Sequence, residues 1–241
     1  MLKGFWKTMK VSVIIPTMNE EASIGGVIQT IKDAFAAANV SLFVKNPLEY
    51  EILIVDTNSK DRTREIAKEK GAIVIDEPRR GYGRAYKTGF EKATGEIIAT
   101  LDGDSTYPAE KIPEFVDFLI KEDLDFITCD RLSTLKPGVM SFKHRIGNKI
   151  LTLTCNLLFG VKIRDSQSGM WIFKKAILKK LKVESDGMPF SEEIKIEAFR
   201  KCNRCIEIPI EYRVRKGEVK LSSWKDGTKN LKYLFKMKFR K

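Results

Sequence analysis

From Val11 to Cys129 the chain alternates short apolar runs with segments of helical period. Val11-Ser-Val-Ile-Ile15 is rich in β-branched residues and stops at Pro16, which predicts a buried strand. Between Glu20 and Phe35, the residues Ile24, Val27, Ile28, Ile31 and Phe35 recur on one helical face. Glu51 to Val55 predicts a second strand that ends at Asp56. Asp61 to Lys70 predicts a helix capped by Asp61 and closed by Gly71. Ala72 to Ile75 predicts a third strand. Gly81-Tyr-Gly83 opens a helix that runs to Lys92, and Gly95 closes that unit. Glu96 to Leu101 predicts a fourth strand, Lys111 to Lys121 a helix, and Asp125 to Cys129 a further strand.

Strands that alternate with helices pair in parallel, so residues 11–130 predict a doubly wound α/β sheet. Ligands of such sheets bind beyond the carboxyl ends of the strands. Three loops fall there: Pro16-Thr-Met-Asn-Glu20, Asp56-Thr-Asn-Ser-Lys-Asp61 and Asp102-Gly-Asp104.

Residues 131–241 are less regular. His144 to Phe159 predicts a helix whose second half is strongly apolar, through Ile150, Leu151, Leu153, Leu157, Leu158 and Phe159. Core packing and a seat at a lipid surface both fit it. From Asn230 to Arg240, Leu231, Leu234, Phe235 and Met237 are interleaved with Lys232, Lys236, Lys238 and Arg240. That pattern fits a membrane-surface helix, or a terminal helix docked on the core with a solvated lysine face.

The 241 residues suit one large domain or two small ones, burying roughly 70–75% of the unfolded surface. A hydrophobic fraction of 43% excludes a disordered chain. The net charge of +12 calls for an anionic partner: nucleic acid, a phosphate-bearing substrate or an anionic membrane. A nucleic-acid module accounts poorly for three carboxylate and amide loops in register, so no nucleic-acid partner is expected. No apolar run reaches the ~18 residues of a membrane span, and Met1 to Lys10 lacks the apolar core of a secretory signal. The four cysteines do not make a disulfide framework, which fits a reducing compartment. Cys202-Asn-Arg-Cys205 alone cannot build a tetrahedral zinc site.

Asp102 and Asp104 flank one glycine after the fourth strand. Two carboxylates at such a turn can face one hard cation, Mg²⁺ or Mn²⁺, and leave positions open for substrate phosphates. The first strand leads into Pro16-Thr-Met-Asn-Glu20, without the Gly-x-Gly-x-x-Gly turn of dinucleotide-binding folds. No Gly-x-x-x-x-Gly-Lys-Ser/Thr loop occurs either. A bound nucleotide would therefore have its phosphates held by a metal and basic side chains.

Val11 to Glu21, Ile54-Val-Asp56, Gly81-Tyr-Gly83, Ala93-Thr-Gly95 and Leu101-Asp-Gly-Asp104 with Tyr107-Pro108 resemble glycosyltransferase family 2. Asp165-Ser-Gln-Ser-Gly-Met170 with Trp171, and the run Arg213 to Leu221, narrow the resemblance to dolichyl- or polyprenyl-phosphate mannosyl- and glucosyltransferases. The likeness covers roughly residues 10–225 and implies a GT-A fold: a Rossmann-like, mostly parallel sheet flanked by helices, with an acceptor-side C-terminal extension. It implies one domain with a nucleotide-sugar half (10–130), an acceptor half (131–225) and a basic amphipathic tail (226–241). The donor would be GDP-mannose or UDP-glucose, the acceptor dolichyl or polyprenyl phosphate, and the cofactor Mg²⁺ or Mn²⁺. The place of work would be the cytoplasmic face of a membrane, held peripherally, by this chain or by a longer protein containing it.

By resemblance, Pro16, Thr17, Asn19 and Glu20 line the nucleotide pocket, Asp56 contacts the base or ribose, and Gly81 belongs to the substrate site. Asp102 and Asp104 hold the metal and the donor diphosphate. Arg131 and Arg145 meet phosphates and act with Asp104 in catalysis, while Arg213, Arg215, Lys216 and Lys220 lie near the acceptor phosphate. The chain departs from the family pattern at Thr57, where many relatives have a second aspartate, and at Thr106, where close relatives have glutamine. The implied reaction is a single inverting displacement at the anomeric carbon. A lipid phosphate is already an oxyanion and needs positioning and charge screening, whereas a hydroxyl acceptor would need a base such as Asp165, Glu192 or Glu193.

Overall fold

The computed structural model describes residues 9–40, 47–217 and 223–239. The strands are β1 (Lys10–Thr17), β2 (Glu49–Asp56), β3 (Ile73–Asp76), β4 (Ile97–Thr100), β5 (Phe126–Asp130), β6 (Trp171–Lys174) and β7 (Cys205–Pro209). The helices are α1 (Ile24–Val40), α2 (Thr63–Glu69), α3 (Tyr82–Lys92), α4 (Ile112–Lys121), α5 (Phe142–Phe159), α6 (Phe190–Lys201) and α7 (Ser223–Lys238). All seven strands form one sheet in the order β3-β2-β1-β4-β6-β5-β7.

The strand period of two builds two cores from one sheet. Val11, Val13 and Ile15 of β1 face one side with Ile52, Ile54, Ile97, Ala99, Ile127 and Ile172. That side is closed by apolar residues of α1 and α4, such as Ile28, Ile31, Val116 and Leu119. Ile14, Leu53, Val55, Ile98, Phe126, Trp171 and Phe173 face the other side, closed by α3 and α6 through Tyr86, Phe90, Phe190 and Ile194. Strands buried on both faces read as near-continuous apolar runs, which is why β1, β2 and β4 are legible in the sequence.

The sheet differs from the expected pattern at β6. This strand pairs antiparallel with β4 and with β5, so β5 is parallel to β4 but separated from it. Trp-Ile-Phe-Lys is too short for a periodicity to show, and Trp171 and Phe173 are held by aromatic packing with Tyr86, Phe90 and Phe126. The helix expected from Asp61 begins instead at Thr63, with Asp61 Oδ1 accepting the Thr63 amide at 3.0 Å.

The two amphipathic helices divide their apolar residues differently from either simple expectation. Leu231, Leu234 and Met237 of α7 pack with Leu151, Cys155, Leu158 and Phe159 of α5 and Ile196 of α6. Those α7 residues are therefore docked, which corrects the reading of the whole stripe as a membrane face. On α5, Leu151 and Cys155 turn inward, while Phe142, Ile146, Ile150, Leu153 and Leu157 stay exposed along one face. Among the described residues no helix is long and apolar enough to cross a membrane.

Candidate active site

The carboxyl ends of β1, β2 and β4 meet at one edge, as their parallel register requires. Asp56 closes β2 and is fully buried. Its carboxylate accepts from Thr17 Oγ1 (3.1 Å), the Ser59 amide (2.9 Å) and the Ser59 hydroxyl, with Arg64 Nε 3.4 Å away. Asp56 thus stands where the sequence places it, and its carboxylate organises the loop around it. The β1 loop interlocks with the same segment. The Asn19 amide donates to Ser59 Oγ (2.8 Å), the Lys60 amide to Asn19 Oδ1 (2.7 Å), and the Glu20 amide to Thr63 Oγ1 (2.8 Å). Pro16 lies half-buried in β1, just before this loop. Asn19, Glu20, Lys60, Asp61 and Gly217 line a cavity of about 360 Å³ beside these loops.

Asp104 is almost fully buried. Its Oδ1 accepts from the Thr106 amide (3.0 Å) and hydroxyl (2.6 Å), and its Oδ2 from Arg215 Nη1 (2.8 Å). Arg215 Nη2 reaches Glu20 Oε1 at 2.7 Å, so one guanidinium joins the β1 loop to the aspartate loop. The strap that carries it is tied down by its backbone. The Arg213 amide donates to Thr106 O (2.9 Å) and the Lys216 amide to Asp104 O (3.0 Å). Thr106, a departure from the family pattern, here orients Asp104.

Asp102 is half-buried and accepts from Tyr82 Oη at 3.2 Å. Burial, then the neighbouring Asp104 charge, pushes its carboxyl up to about 7, against the pull of Arg131. A dication between the pair would relieve that repulsion. The residues present therefore fit Mg²⁺ or Mn²⁺, with Asp102 and Asp104 as the holding groups and other ligands drawn from the substrate. Among the described residues no cluster of three or more metal-binding side chains occurs.

Arg131 is engaged inside the protein. Its Nε and Nη2 donate to both oxygens of Asp165 (2.7 and 2.9 Å), and its guanidinium lies 5.2 Å above the Tyr212 ring. Two of its three guanidinium nitrogens are thus committed to Asp165. Burial alone would raise the Asp165 carboxyl, but the Arg131 charge and hydrogen bonds hold it below the ordinary value. Arg213 is likewise paired, with both guanidinium ends on Glu110. Lys216 and Arg145 have exposed side chains, Arg145 within the first turns of α5. Lys220 lies outside the described residues. Gly81 precedes α3 at φ +152°, and a Cβ there would sit 2.2 Å from Asp186 O, so only glycine fits.

Of the three candidate general bases, Asp165 and Glu193 are held by several partners, and Glu192 through one oxygen only, its Oε1 being buried without a hydrogen-bond partner. Asp165 pairs with Arg131, Glu192 accepts from Gln167 Nε2 (2.8 Å), and Glu193 accepts the Glu184 and Ser185 amides and the Tyr233 hydroxyl (2.6 Å). Three residues escaped the sequence reading: Tyr82 as the partner of Asp102, Tyr212 beneath Arg131, and Glu110 as the partner of Arg213. Only Tyr82 carried a signal, its place inside the Gly-Tyr-Gly motif.

A sequence model described as Glycosyl transferase family 2 matches residues 12–182. This chain belongs to glycosyltransferase family 2. The family-2 chain is 36% identical over 225 residues to a low-salt glycan biosynthesis hexosyltransferase of Haloferax volcanii, covering 92% of this chain and 52% of that protein. It is 32% identical to a dolichyl-phosphate hexose transferase of the same organism, covering 90% of this chain and 88% of that one. A dolichol-phosphate mannosyltransferase of Pyrococcus furiosus is 29% identical, with coverages of 88% and 59%. The glycosyltransferase chain thus spans about half the length of the first of these relatives and most of the second. Among solved structures, glucosyl-3-phosphoglycerate synthase of Mycobacterium tuberculosis, with Mn²⁺, UDP and glucosyl-3-phosphoglycerate, superposes with a TM-score of 0.71. The two are 18% identical, with 95% of this chain and 80% of that chain covered, so the likeness is one of fold. That shared fold is the GT-A arrangement of a mostly parallel sheet flanked by helices.

Proposed function

We propose that this glycosyltransferase moves mannose or glucose from GDP-mannose or UDP-glucose to dolichyl or polyprenyl phosphate, at the cytoplasmic face of a membrane. The relatives named for dolichyl-phosphate transfer support the acceptor class. The observation that carries the lipid reading is the outer face of α5. Phe142, Ile146, Ile150, Leu153 and Leu157 form one apolar stripe in solvent, an arrangement that soluble surfaces rarely keep without a partner. The opposite face of the same helix supports the acceptor-side loop, through Thr152 Oγ1 donating to Ser166 Oγ (3.0 Å).

In this mechanism the nucleotide lies beside the β1 and β2 loops, near Asn19, Glu20 and Lys60. Asp102 and Asp104 hold Mg²⁺ or Mn²⁺, which when bound neutralises charge on the departing diphosphate. Tyr82 fixes one carboxylate and Thr106 the other, so the pair is preorganised. Arg215, paired with Asp104 and Glu20, stands at the same place and becomes a partner for the diphosphate where a cation takes over Asp104. The acceptor phosphate attacks the anomeric carbon from the face opposite the diphosphate, with inversion. It is already an oxyanion, so no side chain has to take a proton, which agrees with the engagement of Asp165 and Glu193.

The test is a transfer assay with the purified protein, Mg²⁺ or Mn²⁺, each donor, and polyprenyl phosphate in detergent, read by mass spectrometry. A lipid-linked hexose that disappears in Asp104→Ala supports the reading. Transfer of the sugar to a soluble hydroxyl acceptor, with none to the lipid phosphate, overturns it.

A further inference from the structure

A second cavity lies beside Tyr82, and none of the residues of the nucleotide-side cavity lines it. It measures about 490 Å³, within the ordinary range of ligand sites. One wall is the start of α3 and another the 187–189 turn that precedes α6. The third is the face of α7 that carries Lys229, Lys232 and Lys236 at successive turns. Tyr82 belongs to this cavity and donates to Asp102, which links the cavity to the aspartate pair. The nucleotide-side cavity is linked to the same pair through Glu20, Arg215 and Asp104.

The charges around the two cavities differ. Arg213 and Arg215, expected from the sequence to meet the acceptor phosphate, are neutralised by Glu110, Glu20 and Asp104. Among the described residues no carboxylate lines the α7 cavity. Of the acidic groups nearby, Glu193 accepts the Tyr233 hydroxyl and Asp186 pairs with Lys87. The remaining lining is apolar or aromatic, from Met188, Pro189 and the rings of Tyr82 and Tyr233. Phe235 on α7 and Phe239 just after it are exposed beside the lysine face. Cations over an apolar floor, continued by exposed aromatics, suit a phosphate carrying a hydrocarbon chain.

We propose that this cavity seats the phosphate headgroup of the prenyl acceptor, with Lys232 and Lys236 as its counter-ions and the first isoprene units over Met188 and Pro189. The assignment rests on the acceptor class proposed above. It leaves the donor loops and the acceptor seat with no lining residue in common, the acceptor seat reaching Asp102 through Tyr82.

The experiment uses the double variants K232Q/K236Q and K232R/K236R, both altered at exposed positions. Binding of citronellyl phosphate is measured by calorimetry, with inorganic phosphate and citronellol as controls, and KM for polyprenyl phosphate is measured in uncharged detergent. The expected result is binding of citronellyl phosphate by the wild type, weakened about tenfold or more in K232Q/K236Q, restored in K232R/K236R, with a parallel rise in KM and unchanged donor KM. Absence of citronellyl phosphate binding in the wild type overturns the proposal, as does equal binding by wild type and K232Q/K236Q. Inorganic phosphate binding as tightly as citronellyl phosphate makes this a free-phosphate site and overturns the prenyl assignment. Transfer to polyprenyl phosphate at the same KM in wild type and K232Q/K236Q removes the cavity assignment and leaves the function. Lysine-dependent citronellyl phosphate binding without any transfer removes the function and leaves the cavity.

Discussion

Arg215 Nη1 lies 2.8 Å from Asp104 Oδ2, on the carboxylate oxygen that does not face Thr106. Its other terminal nitrogen holds Glu20, so the guanidinium stands as counter-ion to two acidic groups from loops far apart in sequence. A divalent cation entering at Asp104 competes with that charge. Replacing Arg215 by Met should therefore tighten Mn²⁺ binding in the absence of nucleotide, by about fivefold if the ion pair is worth ~1 kcal/mol. Transfer should fall at the same time, by about 10²-fold, because the diphosphate loses a positive partner. Titration of free Mn²⁺ by its paramagnetic resonance, alongside initial rates, separates the two effects. Weaker Mn²⁺ binding in the variant contradicts the counter-ion role.

Gly169 sets the distance between Tyr82 and Asp102. A Cβ at this position would sit 2.2 Å from Tyr82 Oη and 3.3 Å from Asp102 Oδ1. The backbone cannot move away easily, because the Gly169 amide donates to Tyr107 Oη (2.7 Å) and its carbonyl accepts from Thr100 Oγ1 (2.8 Å). Gly169→Ala should displace the Tyr82 ring, cost about 1–3 kcal/mol of stability and lower kcat far more than it changes donor KM. Tyr82→Phe removes the hydrogen bond without the overlap. Its thermal midpoint should stay near that of the wild type while kcat still falls. Full activity in Tyr82→Phe would show that the phenol does not position Asp102.

Much of the nucleotide half was legible because parallel strands buried on both faces write themselves as apolar runs, and because such sheets place ligands at strand ends. Val11 to Ile15, Asp56 and the Asp102–Asp104 turn were all located that way. The acceptor half was not legible, because its decisive contacts join residues with no periodic relation. Arg131 meets Asp165, and Arg213 meets Glu110, across separations that no local pattern marks. Charge counting saw cations in both cases. Only the fold reveals which of them are already paired. The α5 stripe fell between the two, since its apolar residues were visible but the inward set, Leu151 and Cys155, could not be told from the outward set before α7 was docked.

Glu192 is fully buried on α6, and burial raises its carboxyl to about 8 despite the Gln167 hydrogen bond. A folded-state value above the ordinary one of 4.5 means that the native state binds the extra proton. The stabilising contribution is complete below that ordinary value and is lost as pH rises towards 8, on the order of 1.4 kcal/mol per pH unit. Glu192→Gln keeps the shape and removes the titration. The variant and wild type should have similar thermal midpoints near pH 4.5, with the variant gaining steadily by pH 8. Lys195, lowered by burial to about 8, titrates in the folded state at the upper edge of this window. Differential scanning at several pH values checks this, and a pH-independent difference between the two proteins rules it out.

The α5 stripe makes the membrane seat testable apart from catalysis. Leu153 and Leu157 are 60% and 76% exposed, so their side chains contribute little to the core. Changing both to Ser should leave the thermal midpoint within about a degree or two, since exposed positions rarely shift stability by more than ~0.5 kcal/mol. Co-sedimentation with vesicles should nevertheless fall about a hundredfold or more, given ~1.5–3 kcal/mol for each of the two leucine side chains transferred from water. Vesicles of neutral lipid read this apolar contribution alone, and vesicles with anionic lipid add the attraction of the lysines on α7 and of Lys143 and Lys149 on α5. If α5 is the apolar contact, the double variant should lose binding to neutral vesicles and keep part of its binding to anionic ones at low salt. Unchanged binding to neutral vesicles would assign membrane attachment to another surface.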